Sequence, residues 1–79
     1  MPVKPKLPLA SACRYDEFRA ARFDKYYGKG DAQVKIDVKA QRVYLKDGAQ
    51  CYTEIFGSRE RAVGAYVRLC GYVKNGRAE

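Results

Sequence analysis

Histidine is absent from this sequence. With it go the commonest general base and the commonest metal ligand. Cysteine is scarce: Cys13, Cys51 and Cys70 lie far apart, with no C-x-x-C pair among them. A zinc site would need a fourth ligand at a recognisable spacing, so no metal is expected. A cysteine nucleophile would need an activating partner, and none is in evidence. Since no nucleophile, base and orienting group can be assembled, an enzyme is the least expected class, and neither a cofactor nor a small-molecule substrate is expected. An odd number of cysteines without a secretory leader fits free, mostly buried thiols in a reducing compartment. The expected location is therefore cytoplasmic.

Long apolar runs are missing too. Nothing approaches the roughly 20 residues of a membrane-spanning helix. Around "LPLASAC", residues 7–13, the apolar run is about six residues, short of the roughly 7–15 of a signal-peptide core. Pro2, Pro5 and Pro8 would also interrupt such a core. Acidic residues are the remaining deficit. Nine Asp/Glu face sixteen Lys/Arg, for a net charge of +7 and an isoelectric point near 9.5. Such a surface suits an anionic partner: nucleic acid, anionic lipid or an acidic protein. The cations are scattered and not gathered on an amphipathic helix, which sets a membrane-surface role aside.

What remains is 79 residues, 47% of them hydrophobic. That describes one small domain near the size at which a single core just suffices. "PVKPKLP", residues 2–8, is proline-rich and basic, so residues 1–10 read as a flexible arm, 11–76 as the domain and 77–79 as a tail. The stretch "SACRYDEFRAARFDKYY", residues 11–27, predicts a helix with Ser11 as N-cap and Gly28 as C-cap. Its helical projection gathers Ala12, Tyr15, Ala20, Phe23, Tyr26 and Tyr27, and leaves Phe18 outside that stripe.

"QVKIDVKA" alternates, with Val34, Ile36, Val38 and Ala40 on one face and Lys35, Asp37 and Lys39 on the other. The phase changes at Val43 and Leu45, so a turn near 39–41 must intervene. "KDG", residues 46–48, predicts a hairpin with a three-residue loop and Gly48 in a left-handed bulge. That register pairs Leu45 with Ala49, Val43 with Cys51 and Gln41 with Thr53. Ser58 is placed to cap a second helix, 59–74, with Ala62, Val63, Tyr66, Leu69, Cys70 and Val73 as its apolar stripe.

The expected fold is therefore α+β in two layers, in α-β-β-β-α order. A three-stranded antiparallel meander, near 33–39, 42–46 and 49–56, carries both helices on one face. The other sheet face is then open. It would present Arg42, Tyr44, Lys46, Gln50, Tyr52, Glu54 and Phe56.

This element order is similar to that of the double-stranded-RNA-binding domain, which docks the start of its second helix on phosphates. The resemblance implies that role for Arg59, Arg61 and Arg68. A second stretch, "FGSRERAVGAY", residues 56–66, resembles the strand-to-helix junction of plant ethylene-response DNA-binding domains and of phage integrase arm-binding domains. Phe56, Ser58, Glu60, Ala62, Ala65 and Tyr66 carry the likeness. It implies a three-stranded sheet whose outer face enters the major groove.

The resulting expectation is a small basic, non-enzymatic nucleic-acid-binding module, for DNA or RNA. Lys35, Lys39, Arg42 and Lys46 would meet phosphates or base edges, and Tyr44 and Tyr52 would stack on bases. Arg59, Arg61 and Arg68 would add phosphate contacts. Asp37 and Glu54 on the same face speak instead for a merely solvated sheet. The alternative is a small regulator or phage-type inhibitor that occupies an acidic or nucleic-acid-binding surface of a larger protein machine, since exposed Tyr and Arg also favour protein interfaces.

Overall fold

Alternation of Val34 and Ile36 with Gln33 and Lys35, and of Val43 and Leu45 with Arg42, Tyr44 and Lys46, builds the centre of a sheet. The computed structural model describes Leu9 and residues 11–75. The rest of the expected arm (1–8 and 10) and the end of the chain (76–79) lie outside the described residues. In chain order the elements are β1 (Ser11–Cys13), α1 (Tyr15–Ala20), β2 (Lys25–Lys29), β3 (Ala32–Asp37), β4 (Arg42–Asp47), β5 (Gln50–Ile55) and α2 (Arg59–Lys74). The five strands form one antiparallel sheet in the order β1-β5-β4-β3-β2.

One face of that sheet buries Val34, Ile36, Val43 and Leu45 against Ala62, Leu69 and Val73 of α2, with Leu9 and Ala32 completing the cluster. The start of α2 is capped as its sequence predicts: the Ser58 hydroxyl oxygen accepts from the Arg61 backbone N–H at 3.1 Å. At the far end Lys29 Nζ donates to the Lys74 carbonyl at 2.9 Å, a cation at the negative end of the helix.

Three features correct the expected fold. First, the sheet has five strands and not three, because the predicted helix over 11–27 divides into β1, a six-residue α1 and β2. Lys25, Tyr27 and Lys29 pair with Ile36, Val34 and Ala32, so the aromatic "KYYGK" segment completes an edge that would otherwise expose unpaired backbone groups. β1 does the same at the other edge, beside β5.

Second, the register of the β4–β5 hairpin differs. Asp47 pairs with Gln50, Leu45 with Tyr52 and Tyr44 with Thr53. The loop is thus two residues, Gly48-Ala49, and Gly48 at its first position has φ +65°, as a type II′ turn requires. The offset from the expected pairing is odd, so every β5 side chain changes face. Tyr52 joins the α2 side, and Cys51 and Thr53 join Tyr44 and Lys46.

Third, the helices lie on opposite faces. Phe18 of α1 is 2% exposed and packs edge-on against Tyr44, with ring centroids 6.4 Å apart. Tyr44 points away from the α2 core, because Val43 and Leu45 on either side of it point into that core. The arrangement is helix, sheet, helix, and the face expected to be open is partly roofed by α1.

The turn forced by the phase change is present: Gln41 N–H donates to the Val38 carbonyl at 3.2 Å. Gln41 has φ +60°, the only positive value at a non-glycine among the described residues. A side chain there carries a steric cost that glycine avoids. Gln41→Gly is therefore expected to raise stability by about 0.5–1 kcal/mol, after the greater flexibility of glycine in the unfolded chain is allowed for. Chemical denaturation checks this; a loss of stability would show that the Gln41 side chain holds the turn.

Candidate nucleic-acid interface

The structure separates the residues expected to share one face. Lys35 lies in the middle of β3 and is only 8% exposed. Its Nζ donates to the Phe18 carbonyl at 2.8 Å and lies 4.4 Å and 5.0 Å from the centroids of the Phe18 and Phe23 rings. Burial pushes its pKa below the ordinary lysine value. This ammonium is bound by the protein itself. Tyr52 packs against the α2 core, and its hydroxyl donates to Gln50 Oε1 at 2.7 Å. Tyr44 is half-buried between Phe18 and Arg42, whose Cζ is 5.6 Å from its ring centroid. Lys46 donates to the Asp31 carbonyl at 3.4 Å and lies 5.8 Å from the centre of the Tyr15 ring.

Lys39, Arg42 and Arg59 behave differently. They come from the β3–β4 turn, the first residue of β4 and the first residue of α2. A hydrogen bond from Phe56 N–H to the Gln41 carbonyl, 2.8 Å, ties the approach to α2 onto that turn. Lys39, Gln41 and Arg59 line an open cleft of about 610 Å³ together with Arg22. Arg22 also borders a second cleft of about 360 Å³, between α1 and the sheet, with Arg42, Tyr44, Thr53 and Glu17.

Two carboxylates organise this end of the sheet. Asp37 accepts from Arg22 at 2.9 Å and from the Ala40 N–H at 3.2 Å. Asp24 accepts from the Val38 N–H at 2.8 Å and lies 3.4 Å from Arg22. They hold the turn in shape and offset part of the charge of Arg22. Arg42 has no such escort at one atom: its Nε is buried with no hydrogen-bond partner. The exposed cations of this end of the sheet are Arg22, Lys39 and Arg59, side chains whose N–H groups are suited to oxyanions.

Arg61 and Arg68 lie elsewhere, in a shallow depression of α2 beside Gly64, Glu60 and Glu54. Arg22 escaped the sequence reading because it sat inside a predicted helix. Only the break of that helix after Ala20 brings it to the β3–β4 turn.

The fold departs from both family likenesses in its larger arrangement. The α-β-β-β-α order behind the first is not the observed order, and the open outer sheet face implied by the second is roofed by α1. Compared with known protein families, curated proteins and solved structures, the chain matches none. Among the described residues no helix is long and apolar enough to cross a membrane, and no group of three Cys, Asp or Glu side chains could hold a metal ion.

Proposed function

We propose that this chain is a small nucleic-acid-binding module that grips the phosphate backbone at the end of the sheet around the β3–β4 turn. The observation that carries the reading is the gathering of Lys39, Arg42 and Arg59, from three separate elements, around two clefts that share Arg22. Arg22, Lys39 and Arg59 are exposed there, so their N–H donors are open to a phosphate oxygen. The backbone strain at Gln41, which lines the larger cleft, is of the kind that accompanies functional sites. The net charge of +7 would draw any polyanion toward it.

Contacts of this kind position a backbone and do not read bases, so binding is expected to be tolerant of sequence and strongly dependent on salt. Tyr44 and Tyr52 have no large part in it, because both are packed against the protein. The module acts by binding, without catalysis, and a cytoplasmic setting would keep its thiols reduced.

Titration with duplex DNA, duplex RNA and single strands over a range of salt tests this. Lys39→Ala, Arg42→Ala and Arg59→Ala should each weaken binding and lower the log–log salt slope by about 0.7–0.9. Arg61→Ala and Arg68→Ala should leave that slope nearly unchanged. One observation favours the second reading, a protein-binding regulator: Val67 and Ile55 are each 61% exposed, and Val67 stands beside Arg68 on the outer side of α2. On that reading nucleic-acid binding collapses at physiological salt and ignores the three substitutions. That result would retire the nucleic-acid proposal.

A further inference from the structure

We propose that Cys13 and Cys51 form a redox pair that closes into an intramolecular disulfide between β1 and β5. The antiparallel register places the two residues directly opposite each other. Their side chains therefore leave the sheet on the same side, the α1 face. Directly opposed residues on antiparallel strands have Cα atoms about 4.5–5.5 Å apart, inside the roughly 4.4–6.8 Å that a disulfide spans. Both thiols are free. Cys51 also helps to raise the pKa of Cys13. Cys70 lies on α2, across the sheet from both of them, so it is no rival for either sulfur.

Exposure assigns the order of events. Cys13 is half-buried on an edge strand, whereas Cys51 is 4% exposed. With hydrogen peroxide as oxidant, the Cys13 thiolate attacks one peroxide oxygen, the O–O bond breaks, and after proton transfer a sulfenic acid and one water result. The Cys51 sulfur then attacks the Cys13 sulfur, the S–O bond breaks, and the hydroxyl leaves as a second water with the Cys51 proton. In total the two thiols lose two electrons and two protons, and the peroxide becomes two waters.

The surroundings make this a slow pair at neutral pH. Burial pushes both thiols above their ordinary pKa, and Glu17 adds to the shift at Cys13 while Arg42 opposes it. Since the thiolate is the reacting species, the rate should climb with pH until Cys13 titrates. The bond would tie three-residue β1 to the sheet and so anchor the entry to α1, whose Phe18 roofs that face. It leaves the charges of Lys39, Arg42 and Arg59 unchanged and is independent of the proposed binding role.

The test is to treat the folded protein with hydrogen peroxide at about pH 8, where more thiolate is available, then alkylate and analyse by mass spectrometry. The expected product is a monomer that carries one alkyl group, on Cys70, and is otherwise two hydrogens lighter, with a peptide linking Cys13 to Cys51. Its melting temperature should rise on the order of 10 °C and return on reduction. Cys70→Ser should keep the bridge; Cys13→Ser and Cys51→Ala should lose it. Should Cys51→Ala fail to fold, Cys13→Ser at the more exposed edge decides alone. Alkylation of both Cys13 and Cys51 after treatment, a bridge to Cys70, or a bridge between two chains would overturn the proposal.

Discussion

Phe18→Ala should destabilise the protein by about 3–5 kcal/mol, the usual range for a buried phenylalanine cut to alanine. In a domain of this size that is a large fraction of the total. Phe18 is the one buried residue of α1, and the six-residue helix has too few turns to hold itself together without tertiary contacts. Its ring meets Tyr44 edge-on and sits beneath the Lys35 ammonium. Removing it would leave a void under α1 and loosen the whole second layer. Urea denaturation followed by circular dichroism measures the loss. A change within about ±0.5 kcal/mol, the range for ordinary surface positions, would mean that α1 does not cover the sheet and that the face behind Tyr44 is open.

Lys35→Ala should be nearly as severe, at about 2–4 kcal/mol. A hydrogen bond from a charged donor is worth about 1.5–3 kcal/mol, and the buried stem adds its own packing. A solvated lysine on an open sheet would be silent under the same change. Lys35→Met separates the two contributions: it keeps the stem and removes a desolvated charge, so it should fall within about 1 kcal/mol of the parent.

The pH dependence gives an independent reading. The folded-state pKa of Lys35 is depressed by burial below 10.5, so the unfolded chain holds that proton more tightly. As pH rises through the interval between the depressed value and 10.5, the parent should gain stability relative to Lys35→Met. Tyr66 works the other way. Burial and its contact with Cys70 push its pKa from 10.0 up to about 12, so stability falls as pH rises across that range. Comparing the two Lys35 forms in a Tyr66→Phe background isolates the lysine. No relative gain at all would show that the ammonium is solvated.

The two variants also mark where sequence reasoning ends. Val34 and Ile36 alternating with Lys35 show that the lysine faces away from the α2 core. They carry no information about what lies beyond it. Phe18, outside the apolar stripe of a predicted helix, reads as a peripheral residue until that helix is divided and its middle is laid over Tyr44. Of the proposed binding residues, Lys39 and Arg59 were legible as cations at a turn and at a helix start. Arg22 was not, because its position depends on where residues 11–27 change direction.

By itself the sequence determined the elements whose signals are local: the turn at 39–41, the strands on either side of it, the Ser58-capped helix α2, and the core made by Val34, Ile36, Val43, Leu45, Leu69 and Val73. Periodicity and capping act among neighbours a few residues apart, so a linear reading contains them. Tertiary structure alone decided the two edge strands, the β4–β5 register and the side of the sheet on which α1 lies. Each of these turns on contacts between distant parts of the chain. "KYYGK" can lie on a helix or pair with β3. On apolar pattern alone the hairpin accepts more than one register, and in the fold Leu45 faces Tyr52 while β1 pairs with β5. A polar sheet face is open or roofed according to whether a short helix with one buried phenylalanine finds it.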